Sequence, residues 1–363
     1  MKEFLSKLYW SGRRTSVLLL GGAGIGKSTC VREFAEETAQ KLGKEFIDYD
    51  DTQAEKILED PRRYFVFHNL PLVGCEPSDL VGIPRVVNGS VQYLPLTWAK
   101  VMSKTTGVLF LDDFLDTQRM DVMSASYRIF LERRVGYIYL NDGVQVVGAS
   151  NTPEFSTLSQ MMPAPLANRC IIINVTCPTP EEWARWMDSK YEEWDRRVFA
   201  FLKRFEDQGY IFVPPNKAET LEEYPTPRSW TELAVLLSKG INSSEVIGGI
   251  IGKEMAQKFK AFCELKVDIE ELAQEPQKFY QLSLDSKYIA ISMLASALSE
   301  KNFSKYDKLV KVMGSDSREW LVLLLLSMKV DKREKFILHL TKLDQNYVSI
   351  LSKVILQGRE IWW

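Results

Sequence analysis

The chain has 363 residues, with 46 Lys and Arg against 48 Asp and Glu, a formal net charge of −2. That length accommodates two or three domains, and 45% apolar with 26% charged residues is an ordinary globular balance. The near-neutral charge leaves no global field to recruit nucleic acid or an acidic membrane, and the longest apolar run, Leu321 to Leu326, is far short of a membrane span.

Residues 1–16 read as a short amphipathic helix (Phe4, Leu5, Leu8) followed by a basic turn at Gly12-Arg13-Arg14. An apolar run, Val17-Leu18-Leu19-Leu20, then leads into Gly21-Gly22-Ala23-Gly24-Ile25-Gly26-Lys27-Ser28 and a helical pattern from Thr29. Strand, glycine-rich loop and helix in that order, with G-x-x-x-x-G-K-[ST] spacing, describe a P-loop. The glycines allow a tight turn whose N–H groups point inward at a phosphate, and the helix N-terminus adds its partial positive charge. A dinucleotide fingerprint does not fit, because its third glycine would fall on Lys27. The expected phosphate-binding residues are Gly22, Ala23, Gly24, Ile25, Gly26, Lys27, Ser28 and Thr29. Lys27 would reach the β- and γ-phosphates and Ser28 would ligate Mg²⁺. The helix before the loop either closes over a nucleotide base or packs on the domain edge.

Beyond the loop, Val31, Phe34, Ala35, Thr38, Ala39 and Leu42 keep helical spacing up to Gly43. Phe46-Ile47-Asp48-Tyr49 and Tyr64-Phe65-Val66-Phe67 read as strands, and Pro71 to Pro84 as a loop containing Asp79-Leu80-Val81-Gly82. Asn88-Gly89 between β-rich flanks predicts a hairpin over 86–93. Val108-Leu109-Phe110-Leu111-Asp112-Asp113 is a buried strand with two carboxylates at its C-terminal end, where ligands of open α/β sheets bind. Asp112 is assigned to the metal and Asp113 to polarising an attacking water. A helix over Met120 to Leu131 precedes a second hairpin-like unit, Val135–Leu140 and Val144–Ala149 around Asn141-Asp142-Gly143. It runs into Ser150-Asn151-Thr152-Pro153, where Asn151 either contacts the γ-phosphate or the water, or simply forms a turn.

Residues 154–170 end in Pro165-Leu166-Ala167-Asn168-Arg169, and Ile171 to Val175 closes the α/β part. Pro178 and Pro180 mark a boundary, after which the pattern is helical apart from an irregular stretch at 209–227. Thr226-Pro227-Arg228-Ser229-Trp230 opens a helix whose first turn carries Arg228, although the dipole there prefers anions; a phosphate would explain it. Residues 301–363 carry 12 Lys and Arg against 7 Asp and Glu, a net of +5, read as a solvated helical surface. Five scattered cysteines without C-x-x-C spacing point to a reducing compartment and away from zinc. His68 and His339 read as structural, and Lys2, Glu3 and Lys7 leave no apolar signal core, so a soluble cytoplasmic protein is expected.

With these pieces in order the chain resembles an AAA+ ATPase over roughly residues 5–240, and is similar to MoxR-like members of the clade with helix-2 and pre-sensor-1 insertions. The P-loop matches Walker A, and Val108 to Asp113 matches Walker B. The segment from Asp79 through Asn88-Gly89 resembles the helix-2 insert, the unit at 135–149 the pre-sensor-1 insert, and Asn151 stands at sensor 1. Pro165 to Arg169 is similar to the arginine-finger segment, which implies that Arg169 acts on a neighbour's nucleotide. Thr226 to Trp230 resembles the sensor-2 segment, which implies that Arg228 contacts phosphate within its own subunit. One departure stands out: Walker B usually ends Asp-Glu, and here it is Asp112-Asp113, one methylene shorter.

The fold implied is α/β, a P-loop NTPase (AAA+) with a central parallel sheet flanked by helices over 1–178, an all-α lid over 179–265 and a C-terminal helical extension over 266–363. The resemblance further implies ATP and Mg²⁺ as cofactors and a homo-oligomeric ring, usually a hexamer. Its partner would be a client or adaptor protein remodelled in chaperone fashion, often one with a von Willebrand A domain, and no membrane is involved. Two alternatives stay open. A nucleic-acid motor or loader is suggested by Arg133, Arg134 and Tyr137 and the basic tail, against the near-neutral charge. A slow-hydrolysing, nucleotide-gated scaffold is suggested by Asp113 alone.

Overall fold

The computed structural model describes residues 1–152, 166, 168–213 and 223–343. Pro153, Pro165 and Ala167 of the motifs above, the prolines at 214 and 215, and the chain from 344 onward lie outside the described residues. The chain divides into two compact units, Met1–Thr176 and a second that starts at Cys177.

The first unit is built on strands β1 (Val17–Leu20), β2 (Glu45–Asp48), β3 (Tyr64–Pro71), β6 (Thr106–Asp112), β9 (Val144–Ser150) and β10 (Ile171–Asn174), with the hairpin strands β4 (Ile83–Val87), β5 (Ser90–Leu94), β7 (Arg134–Val135) and β8 (Ile138–Tyr139) apart from them. The six form one sheet in the order β10-β1-β9-β6-β3-β2, parallel at every pairing. Parallel strands are covered on both faces, so they read as continuous apolar runs. Alternation within them sorts the side chains: Val17, Leu19, Phe65, Phe67, Val108, Phe110, Val147 and Ala149 pack on one face. Leu18, Tyr64, Val66, Leu109, Leu111, Val144 and Val146 pack on the other.

Helices α1 (Lys2–Trp10) and α2 (Lys27–Lys41) cover the first face. Between the two readings of the N-terminal segment, packing is what occurs. Leu5 and Tyr9 are core residues, Lys2 pairs with Glu33 and Glu37 of α2, and the Tyr9 hydroxyl donates to Gly143 O just ahead of β9. Helices α3 (Ala54–Glu59), α5 (Thr97–Lys104) and α6 (Met120–Glu132) supply the second face, with the short α4 (Ser78–Val81) between β3 and β4.

The first hairpin forms as read. β4 and β5 pair antiparallel around Asn88-Gly89, whose φ values of 51° and 74° are those of a type I′ turn. The second is different. The expected pairing of 135–140 with 144–149 does not occur; the hairpin is only β7 with β8, turning at Gly136-Tyr137. Val144–Ser150 is instead a core strand, parallel to β1 on one side and β6 on the other, and every residue of it is buried. A local Asn-Asp-Gly turn signal loses to the larger gain of completing the sheet. Likewise β6 ends at Asp112, because Asp113 adopts φ 53°, left-handed backbone that cannot continue a strand.

The second unit is helical, from α7 (Pro180–Lys190) and α8 (Arg196–Arg204) through α9 (Pro227–Ser238), α10 (Ser244–Ile251), α11 (Lys253–Cys263), α12 (Ile269–Gln274), α13 (Leu284–Ala297), α14 (Asp307–Asp316) and α15 (Arg318–Ser327) to α16 (Val330–Leu343). One apolar core runs through it from Trp183 to Leu340. Within that core the buried Asp188 carboxylate accepts from Arg196, Arg333 and the Trp194 indole, which ties α7, α8 and α16 together. Such a charge is tolerable in the interior only while its partners stay in place.

His68 lies on β3 with 9% of its surface exposed, packed against the rings of Tyr49 and Trp98 at 4.8 and 5.0 Å. Neither ring nitrogen has a hydrogen-bond partner among the described residues. Burial pushes its pKa down from 6.5 to about 4, with Asp51 and Asp48 opposing weakly. The folded state therefore holds His68 neutral while the unfolded chain protonates it below 6.5. Its contribution is complete above that pH and is lost as pH falls towards 4. In urea titrations at pH 7 and pH 5, wild type should lose about 2 kcal/mol more than His68→Phe over that interval; equal losses would contradict this account.

Candidate functional site

In the sheet order, β1 sits between β9 and β10, strands contributed from the far end of the first unit. The C-terminal end of β1 is therefore a point where the order of connections reverses, the place where open α/β sheets bind ligands. Leu20 lies level with Ser150 of β9 and Asn174 of β10. Gly21 donates to Ser150 O at 3.3 Å, and Val175 donates to Leu20 O at 2.7 Å. No side chain fits at Gly21: a Cβ there would lie 2.6 Å from Val175 O and 2.7 Å from Ile25 Cδ1. Gly24 and Gly26 take φ of 73° and 97°, and Gly26 opens α2 with no side chain capping it. That arrangement leaves first-turn N–H groups to a bound phosphate.

Lys27 is the first residue of that helix and is only 8% exposed. Its ammonium donates to Gly21 O at 3.0 Å, Gly22 O at 2.8 Å and Asn151 Oδ1 at 3.1 Å. The cation is held inside the turn that carries it, aimed across the loop towards the end of β9. Ser28 Oγ donates to Asp112 Oδ2 at 3.0 Å, and Asp112 Oδ1 accepts from the Asp113 amide at 3.1 Å. A hydroxyl and a carboxylate in contact are hard oxygen donors, which suit Mg²⁺. Among the described residues no group of three or more His, Cys, Asp or Glu is placed to hold a metal. The pair fits a cation that takes its remaining ligands from phosphate and water.

Past Asp113 the chain folds back on β9. Phe114 donates to Ala149 O at 2.8 Å, Leu115 to Ser150 Oγ at 3.2 Å, and Asp116 to Asp113 O at 3.0 Å. This turn brings in a residue that sequence reasoning missed. Asp116 is 5% exposed, and its Oδ2 accepts from Asn151 Nδ2 at 3.1 Å. Nothing local in Phe114-Leu115-Asp116-Thr117 marks it; its only signal was a carboxylate four residues after Asp112.

The structure thus brings together the glycine-rich loop, Lys27, Ser28, Asp112, Asp113 and Asn151. It does not bring Arg169 to them. That residue is exposed, in a turn just before β10, at the opposite end of the parallel strands from Lys27. Arg228 belongs to the second unit, exposed in the first turn of α9, whose N-cap Thr226 exchanges hydrogen bonds with Ser229.

No protein-family model matches the chain, and no curated protein is similar to it in sequence. Among solved structures it is similar to a mutant RuvB from Thermotoga maritima (15% identity, 83% of this chain and 81% of that one, TM-score 0.38). It is also similar to ORC2 from Aeropyrum pernix, solved with ADPNP and ADP (14%, 86% and 85%, 0.37), and to AMPPCP-bound DnaA from Aquifex aeolicus (12%, 99% and 91%, 0.31). Likenesses of this size say nothing of what the chain binds or does.

Two substitutions test the site as built. Lys27→Ala should abolish binding of a fluorescent nucleotide while the protein stays folded by circular dichroism; retained tight binding would remove the phosphate assignment. Gly21→Ala should destabilise the unit by about 1–3 kcal/mol through overpacking, read in urea titration.

Proposed function

We propose that this chain is a Mg²⁺-dependent AAA+ ATPase of the MoxR-like kind, assembled as a ring, that uses ATP to remodel or activate a partner protein. What carries the reading is the convergence at the end of β1: Lys27 and Ser28 from the first turn of α2, Asp112 from the end of β6 with Asp113 just after it, and Asn151 just after β9. A cation, a metal-ligand pair, a second carboxylate and a polar amide are what phosphoryl transfer to water asks of a protein, since its catalysis is positioning and charge stabilisation. Mg²⁺ held by Ser28 and Asp112 would neutralise charge on the β- and γ-phosphates. Asp113 takes the water-polarising role, with Arg169 offered to a neighbouring subunit's nucleotide and Arg228 to the phosphate of its own. The exposed position of Arg169, away from the loop of its own chain, is consistent with action in trans.

For a protein partner, the support is the pair of hairpins. Ile83, Val86, Val91 and Leu94 of the first are 60%, 71%, 65% and 44% exposed, and Tyr137 and Tyr139 of the second are 68% and 64% exposed. The hairpins meet at Tyr93 and Tyr137, whose rings are 5.9 Å apart. Ile83 pairs with Leu94 on one face of the first hairpin and Val86 with Val91 on the other, and apolar side chains exposed on both faces suit a partner that takes the hairpin between its own surfaces. One observation favours nucleic acid instead: Arg134 lies over the rings of Tyr137 and Tyr139 at 5.6 and 5.4 Å, a basic and aromatic grouping of the sort that stacks bases. Single-stranded DNA that raises turnover in a salt-dependent way would select that reading.

The deciding experiment mixes two inactive variants. Arg169→Ala and Asp113→Asn should each lack Mg²⁺-dependent ATP turnover, and their mixture should recover part of it, because some interfaces then pair an intact Asp113 with an intact Arg169. A mixture as inactive as its parents removes the trans role; a wild-type protein without ATPase activity removes the enzyme reading.

A further inference from the structure

Asn151 has a neutral amide that can present either an acceptor oxygen or a donor nitrogen to the phosphate site. Its neighbours restrict that choice. On one side stands the Lys27 ammonium, a donor only, 3.1 Å from Asn151 Oδ1. On the other stands Asp116, an acceptor only when ionised, whose Oδ2 receives Asn151 Nδ2 at 3.1 Å and lies 3.4 Å from both the Asn151 amide nitrogen and Ser150 Oγ. Reversing the amide would set its NH₂ against the ammonium and its oxygen against the carboxylate, replacing two charge-assisted hydrogen bonds with two repulsions. Asp116 is buried, so its field is little screened, and its Oδ1 has no partner among the described residues.

We infer that Asp116 is a positioning residue for nucleotide hydrolysis: it locks Asn151 so that the carbonyl oxygen, not the NH₂, faces the phosphate site. The inference rests on the ATPase reading above and deepens it. Of the two roles open to Asn151, it selects acceptance of a hydrogen from the Lys27 ammonium or from the attacking water, and rejects donation to a γ-phosphate oxygen. Asp116 itself touches neither. It is carried on the turn after β6, which hydrogen bonds from Phe114 and Leu115 fasten to Ala149 and Ser150 just before Asn151.

The test exchanges the two side chains. Asp116→Asn, nearly isosteric, should lower kcat for Mg²⁺-ATP by about tenfold or more, with KM and ADP affinity within about threefold of wild type. Asn151→Asp should be at least as impaired, since two carboxylates would then face each other. The exchanged pair, Asp116→Asn with Asn151→Asp, restores a donor amide behind and an acceptor oxygen in front at unchanged total charge, although the new NH₂ also meets the residue 151 backbone N–H, so its kcat should rise above that of both single variants without reaching wild type. A merely structural carboxylate would not give that kinetic split and that recovery together. Wild-type kcat in Asp116→Asn, or an exchanged pair no better than its poorer parent, whether through inactivity or failure to fold, overturns the inference. If wild type turns over ATP and Asn151→Ala lowers kcat while Asp116→Asn does not, the ATPase reading stands and only the role of Asp116 falls. If wild type hydrolyses no nucleotide, the underlying reading falls instead.

Discussion

The hydrogen bond from Ser28 to Asp112 is the joint on which the site depends. It links the first turn of α2, the helix that follows β1, to the last residue of β6, and β9 lies between β1 and β6 in the sheet. With the Lys27 ammonium reaching Asn151, it makes a closed connection among the loop, β6 and β9. Lys27 is buried and Ser28, Asp112 and Asn151 are partly so, and polar groups are costly to bury without partners. Together they satisfy one another in a geometry that a phosphate and a divalent cation could enter by replacing protein partners one for one. The site is held ready by the same bonds that a ligand would exchange.

That arrangement follows from the order of the strands. Because β1 lies between β9 and β10, the loop after it meets the ends of strands made well over a hundred residues later. The parallel sense of every pairing puts all the loops that follow the strands on one edge, and Arg169, which precedes β10, on the other. A single topological fact therefore separates Arg169 from Lys27, Ser28 and Asp112.

The turn from Asp113 to Asp116 shows how backbone strain and buried charge are used together. Left-handed backbone is uncommon for a residue with a side chain, and Asp113 tolerates it while its neighbours fasten the turn to β9. The result places three carboxylates within five residues at the end of β6. Their roles differ with their partners: Asp112 faces a hydroxyl, Asp113 stands half-exposed, and Asp116 is enclosed by Ser150 and Asn151.

The sequence alone determined most of the architecture, because the strong signals are local. Gly21 to Ser28, the apolar run ending in Asp112-Asp113, Asn88-Gly89 and the proline boundary each state a backbone requirement within a few residues. Thus the parallel sheet, the first hairpin and the helical second half were legible, as were Lys27, Ser28 and Asp112 as neighbours. What only the tertiary structure decided depends on partners far apart in the chain. Val144–Ser150 became a core strand rather than half of a hairpin, because two flanking strands offered it a full set of hydrogen bonds. Asp116 became part of the site because a turn folded it against Asn151, thirty-five residues away. The orientation of the Asn151 amide was set by a cation on one side and an anion on the other. Local patterns specify backbone conformation, whereas the direction of a buried dipole depends on charges that only folding brings near.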